Sequence, residues 1–215
     1  MAARTGPDRE MRREGAKMFV LGLTGSIGMG KTTTARLFAE AGVPVHDADA
    51  TVHKLYEGEA VDAIEAAFPG TTKDRKVDRS ALGRRVAGNA DSLRLLEAIV
   101  HPLVRQAEVR FLETAEKSDS KFAVLDIPLL FETGGDKRVD AVVVVSAPAE
   151  IQRARLLERG LAPDQLETLL ARQMPDAEKR QRADFVIDTS HGIESARAQV
   201  HEVLAAVSNR PTRRK

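Results

Sequence analysis

The chain has 215 residues, 42% of them apolar and 30% charged, with a net charge of +1. That is enough apolar material for a core in one or two domains, and the near balance of charge argues against a nucleic-acid binder held by a global positive field. The absence of cysteine excludes disulfides and thiolate metal sites and makes a cytoplasmic setting the expectation, and no apolar run nears the ~18 residues that would span a membrane.

The first stretch, Met1–Lys17, is polar, mixes Arg4, Arg9, Arg12 and Arg13 with Asp8, Glu10 and Glu14, and lacks the apolar segment of a signal peptide. It reads as a disordered extension or a misassigned start, with Met18 as the alternative. Phe19–Thr24 is a short apolar run ending in a glycine-rich turn, as a buried parallel strand would be. A helix is predicted over Lys31–Ala41, stopped by Gly42, and a second strand over Val43–His46, with Asp47-Ala48-Asp49 just past its carboxyl end.

From Thr51 to Glu116 the pattern is helical almost throughout. Helices are predicted at Ala60–Phe68, from Asp78-Arg79-Ser80 to Gly88, and from Asp91 onward, with a basic turn-rich stretch at Thr71–Arg79. Pro102 predicts a kink or a new helix start after His101. Strands return at Phe122–Ile127 and Ala141–Ser146, both continuous apolar runs. Helices follow at Ala149–Arg159 and Pro163–Met174, then a strand at Phe185–Ile187. A closing helix puts Ile193, Ala196, Val200, Val203, Leu204 and Val207 on one stripe, and Arg210–Lys215 reads as a solvated basic tail.

Strands alternating with helices predict an α/β fold with a mainly parallel sheet. A crossover needs only about a dozen residues, so the excess between the second and third strands implies an inserted helical subdomain. The expected layout is a core of 18–50 and 117–207, an insert at 51–116, and a charged segment at 159–182 able to hinge as a lid.

The strongest chemical signal is Gly25-Ser26-Ile27-Gly28-Met29-Gly30-Lys31-Thr32, which satisfies G-x-x-x-x-G-K-[ST] between a strand and a helix. Glycines let successive N–H groups turn inward on phosphate oxygens, and the following helix adds its positive end. Lys31 can reach the β- and γ-phosphates, the Thr32 hydroxyl can ligate Mg²⁺ accompanying ATP, and Thr33 extends the loop's contacts. An Asp pair after a strand is ordinarily a cap or turn. Beside a phosphate loop, Asp47 or Asp49 can instead take a proton from an attacking hydroxyl, Asp49 being preferred. Arg153, Arg155, Arg159 and Arg172 could stabilise transferring phosphate, with Arg153 preferred over the others; a solvated helix face is the plain alternative. Asp126, at the end of its strand, could hold Mg²⁺ through water or form a turn before Pro128. His101 is a weaker candidate for substrate contact.

These residues resemble the dephospho-CoA kinase family. The resemblance rests on Leu23–Thr32 with Asp47-Ala48-Asp49, on Leu96-Glu97-Ala98-Ile99-Val100-His101-Pro102-Leu103-Val104, on Asp126-Ile127-Pro128-Leu129-Leu130-Phe131-Glu132, and on Ala183–Asp188. It spans Phe19 to about Val207 and implies a nucleotide core, a helical domain receiving the CoA moiety, and a mobile lid. The implied partners are ATP and dephospho-CoA; from charge and hydropathy no nucleic acid and no membrane are expected, and the sequence leaves the oligomeric state open, with a monomer favoured. The resemblance also implies Asp49 as general base, Lys31 as the phosphate-binding lysine and Arg153 as a lid arginine. Where the family often has Asn near the adenine, this chain has Thr189-Ser190-His191-Gly192, whose hydroxyls could substitute. Gluconate- or shikimate-type kinases are the alternative, though a smaller insert is expected of them, and a GTP switch would need an N-K-x-D segment that does not occur.

Overall fold

The computed structural model describes residues 17–162, 169–170 and 173–214. Its centre is a five-stranded, wholly parallel sheet in the order β2-β5-β1-β6-β7. The strands are β1 (Phe19–Thr24), β2 (Val45–Asp47), β5 (Phe122–Asp126), β6 (Ala141–Ser146) and β7 (Phe185–Asp188). Alternation along β1 sends Phe19, Leu21 and Leu23 to one face and Val20 to the other, and each face has its own apolar cluster. On the first face pack α1 (Lys31–Glu40) and the C-terminal helix α8 (Gly192–Val207), through Leu37, Phe38, Val200 and Val203. Ile193, expected on the α8 stripe, is exposed instead, because the helix's first turn overhangs a cleft.

The helical insert closes on a third cluster of its own. It comprises α2 (Ala48–Leu55), α3 (Val61–Ala67), α4 (Arg79–Val86) and the first half of α5 (Ala90–Lys117), meeting at Leu55, Ile64, Phe68, Leu82, Leu96 and Val100. Asp78 and Asn89 cap α4 and α5 through their side chains, as short polar residues before helices do.

Two expectations are amended here. Pro102 does not end its helix, since α5 runs through it for 28 residues. The proline removes one backbone donor, but the helix is held on both sides: Leu96 and Val100 pack in the insert, Phe111, Leu112 and Ala115 against the sheet. The stretch around Thr71–Arg79 contains a small hairpin, β3 (Thr72–Lys73) with β4 (Lys76–Val77), turned by Asp74 and Arg75 at φ 51° and 58°.

The remaining helices are α6 (Ala149–Glu158) and α7 (Asp176–Arg182), with a 3₁₀ turn at Gly135–Arg138. Lid segment 159–182 and predicted helix Pro163–Met174 lie partly outside the described residues, as do Arg172 and residues 1–16 of the N-terminal stretch. The C-terminal stretch is largely exposed, as expected of a solvated tail, but it is anchored at Arg213 and Arg214. The backbone N–H groups of Arg213 and Arg214 donate to Asp140 Oδ1 at 2.7 and 2.9 Å, and Arg214 Nε donates to Oδ2 at 2.8 Å. No helix among the described residues is long and apolar enough to cross a membrane.

Candidate active site

All five strands point their carboxyl ends one way, and the glycine-rich loop, Asp47, Asp49 and Asp126 gather there, as ligand sites do in open α/β sheets. Leu23 on β1 and Asp47 on β2 both register against Asp126 at the end of β5. The loop after β1 curls back to start α1 with Gly30 at φ 93°, a conformation that glycine adopts without strain. A Cβ on Gly25 would lie 2.6 Å from the Val145 carbonyl oxygen, so the loop can approach β6 only as glycine. No acidic residue occupies the first turn of α1, which leaves its amino end positive and open to an anion. Met29 is buried beneath the loop, so it can offer a ligand only its backbone.

Three clefts meet along this edge. The smallest, about 290 Å³, is lined by residues 25–28, Gly30 and 31–33 of the loop and helix start, together with Asp49, Pro128, Arg159 and Gln173. A second, of about 450 Å³, shares Gly30, Thr33 and Arg159 with the first and continues to Arg155, Thr189 and Ile193. The third, about 680 Å³, shares Asp49, Pro128 and Gln173 with the first and runs along the insert past Leu96, Val100, His101 and Val104. The clefts therefore form one track, with Asp49 at the junction of the phosphate loop and the insert.

The two aspartates of the Asp-Ala-Asp run have different work. The strand stops at Asp47, whose side chain caps α2 by accepting the Ala50 N–H at 2.9 Å. Asp49 falls in the first turn of that helix and faces the two clefts. Lys31 Nζ donates to Asp126 Oδ1 at 2.7 Å, and Asp126 is buried. Burial pushes the Asp126 carboxyl above its usual range; the Lys31 ammonium opposes this without overcoming it, and the charges of Asp47 and Asp49 add to it.

Arg153 and Arg155 are placed differently on α6. Arg153 is exposed on α6 and lines none of the three clefts. Arg155 lies in the second cleft and donates to Thr189 Oγ1 at 2.9 Å and to the Thr189 carbonyl at 2.7 Å. Thr189 Oγ1 donates in turn to the Met29 carbonyl at 2.8 Å, so its one hydrogen is committed within the protein. Two glutamines that sequence reasoning missed hold Ile27: Gln152 Nε2 donates to its carbonyl at 2.7 Å, and Gln173 Oε1 accepts its N–H at 3.1 Å.

A sequence model of the family described as dephospho-CoA kinase matches residues 19–195. The dephospho-CoA kinase of Rhodopseudomonas palustris strain HaA2 is 63% identical over 198 residues, 92% of this chain and 100% of that protein. The chain belongs to the dephospho-CoA kinase family. A crystal structure of the protein TT1252 from Thermus thermophilus superposes with a TM-score of 0.79 at 33% identity, covering 88% of this chain and 97% of that one. The dephospho-CoA kinase from Campylobacter jejuni gives 0.63 at 25% identity, covering 90% and 100%. As a family member the chain is an ATP-dependent kinase, and its loop-and-sheet geometry is that of a P-loop kinase. Membership of the dephospho-CoA kinase family also gives the cleft along the insert a specific occupant to be tested against.

Proposed function

We propose that this chain transfers the γ-phosphate of ATP to the ribose 3′-hydroxyl of dephospho-CoA, giving CoA and ADP in the last step of CoA synthesis. The observation that carries the reading is Asp49, one carboxylate bordering both the phosphate-loop cleft and the cleft of about 680 Å³ along the insert.

Adenine and its ribose occupy the cleft bounded by Arg155, Thr189 and Ile193. The triphosphate follows the loop, with its β- and γ-oxygens on backbone N–H groups, the amino end of α1 and Lys31. The acceptor lies along Leu96, Val100 and Val104 with its sugar hydroxyl at Asp49. Asp49 accepts the hydroxyl proton as the oxygen attacks the γ-phosphorus; the bond to the β-phosphate oxygen breaks and ADP leaves. Arg159 borders both donor clefts, so we assign it the developing charge on the phosphoryl oxygens. Arg153 retains that role only if it swings in from its exposed position.

The donors present suit Mg²⁺ brought in with ATP: the Thr32 hydroxyl borders the phosphate cleft and the Asp126 carboxylate lies beside Lys31. Both are hard oxygen ligands, and Mg²⁺ is ordinarily bound by one or two protein groups plus phosphates and water. Among the described residues no group of three His, Cys, Asp or Glu forms a protein-only metal cage, in keeping with such a site. Bound there, the ion would neutralise charge on the β- and γ-phosphates.

The deciding experiment is a panel with ATP and Mg²⁺ offering dephospho-CoA, adenosine, gluconate and shikimate separately, with ADP formation followed. Preferential use of dephospho-CoA is expected. Faster use of gluconate or shikimate would reject the assignment.

A further inference from the structure

One short segment touches both sides of the reaction track. Gln173 borders the phosphate cleft and the acceptor cleft, and its Oε1 accepts the Ile27 N–H at 3.1 Å. Its neighbour Met174 donates its backbone N–H to Glu132 Oε1 at 3.0 Å, and Glu132 is part of the acceptor cleft's wall. Further along, on α7, Lys179 is fully buried, with Nζ 2.9 Å from the same Glu132 oxygen and 3.4 Å from the Pro128 carbonyl. Pro128 also accepts the Thr24 hydroxyl at 2.9 Å, at the end of β1 where the phosphate loop begins. Glu132 is thus a node from which two adjacent residues, Met174 and Gln173, lead to the loop.

A lysine with no exposed surface is an expensive way to fill space. Desolvation offsets most of what such a pair gains, and an apolar side chain of similar volume often serves stability equally well. What the pair does supply is a fixed position for the segment relative to the acceptor wall. The Ile27 N–H, for its part, has one hydrogen to give. It can satisfy Gln173 or a phosphate oxygen of the nucleotide, so the contact has two alternative states, which coupling between sites requires.

We propose that Glu132 and Gln173 are positioning residues that couple the two substrate sites. Glu132, through the Met174 N–H and Lys179, sets where Gln173 sits, and Gln173 competes with the nucleotide for the Ile27 N–H. Acceptor binding against the Glu132 wall alters that competition and so alters the affinity for ATP. By linkage, ATP alters the affinity for the acceptor by the same factor. This rests on reading the larger cleft as the acceptor site.

The test measures binding of a non-hydrolysable ATP analogue to the full chain by calorimetry, with and without saturating dephospho-CoA. Wild type, Gln173→Ala and Glu132→Gln are compared. A coupling of about five-fold or more is expected in wild type, since coupling of this kind typically falls between about 5- and 150-fold. In both variants the ratio should fall below about two-fold, while Gln173→Ala binds the analogue alone at least as tightly as wild type, having lost a competitor. A merely structural role would weaken both ligands together and leave the ratio unchanged. A wild-type ratio within two-fold, or an unchanged ratio in folded Gln173→Ala, overturns the proposal; if Glu132→Gln does not fold, Gln173→Ala alone decides. Turnover of dephospho-CoA by the same wild-type preparation separates this failure from failure of the acceptor assignment.

Discussion

Lys31 Nζ sits 2.7 Å from Asp126 Oδ1, so the lysine that would hold the nucleotide's phosphates is engaged by a buried carboxylate. The pair keeps a cation at the mouth of the loop and keeps Asp126 from being buried without a partner. Lys31→Ala is expected to lower transfer to dephospho-CoA by at least about 100-fold, the scale lost when a charge-stabilising donor is removed. Steady-state turnover checks this. Activity within about ten-fold of wild type would mean that the loop's lysine is not aimed at transferring phosphate.

Asp49→Asn separates transfer from binding. The amide keeps the size and position of the carboxylate but cannot accept a proton, and general-base contributions are about 10²–10⁴-fold. The expected result is a loss of kcat on that scale with affinity for an ATP analogue changed by less than about three-fold. Asp47→Asn should retain most turnover, because the Asp47 side chain caps α2 and Asn caps helices comparably well. If Asp47→Asn proved the more damaging change, the proton would have to go to the other carboxylate.

The phosphate loop was legible because glycines, lysine and threonine fall at fixed spacing between a strand and a helix, all within one local stretch. The strands were legible as well, the central β1, β5 and β6 being continuous apolar runs covered on both faces. Missed were features made by residues distant in the chain. Arg155 meets Thr189 across 34 positions, and Gln173 meets Ile27 across 146. No local pattern announces either contact. The hairpin β3–β4 escaped because its strands are two residues each and its turn uses Asp74 and Arg75 at positive φ where Asn-Gly would be the usual sign. At Pro102 the new helix start, one of the two outcomes expected there, does not occur, because packing on two separate cores holds one helix through it.

The arginines of α6 give opposite predictions. Arg155 makes two hydrogen bonds to Thr189 and helps shape the cleft beside the loop. Arg155→Ala should weaken ATP binding about ten-fold, equivalent to roughly 1.4 kcal/mol, and Arg155→Lys should restore little, because an ammonium cannot reproduce the planar fork. Arg153→Ala should leave ATP affinity within about two-fold, since that side chain lies outside the clefts and exposed changes usually cost little. A large fall in kcat for Arg153→Ala with unchanged ATP binding would return the transfer role to Arg153.

Asp140 makes the C-terminal end part of the fold, and its pH dependence can be worked out. The carboxylate is buried and accepts the Val20 N–H at 2.7 Å as well as the donors of Arg213 and Arg214. Burial pushes its pKa up, but the Val20 and Arg214 amides and the Arg214 guanidinium outweigh it, and the net shift is downward. A depressed folded pKa means stability that is fully present above the unfolded value, about 3.9, and lost as pH falls through the lower folded value. Deleting 210–215 removes three of the donors and leaves a buried charge nearly bare, a change that costs about 3 kcal/mol or more. In the shortened chain burial dominates and the carboxyl's pKa rises, so protonation relieves part of the penalty. Urea unfolding should therefore show the deficit at its largest at pH 7 and narrowing by pH 4. A deficit under about 0.5 kcal/mol at pH 7, the range of an unremarkable surface change, would show that the contacts at Asp140 do not hold the end of the chain in place.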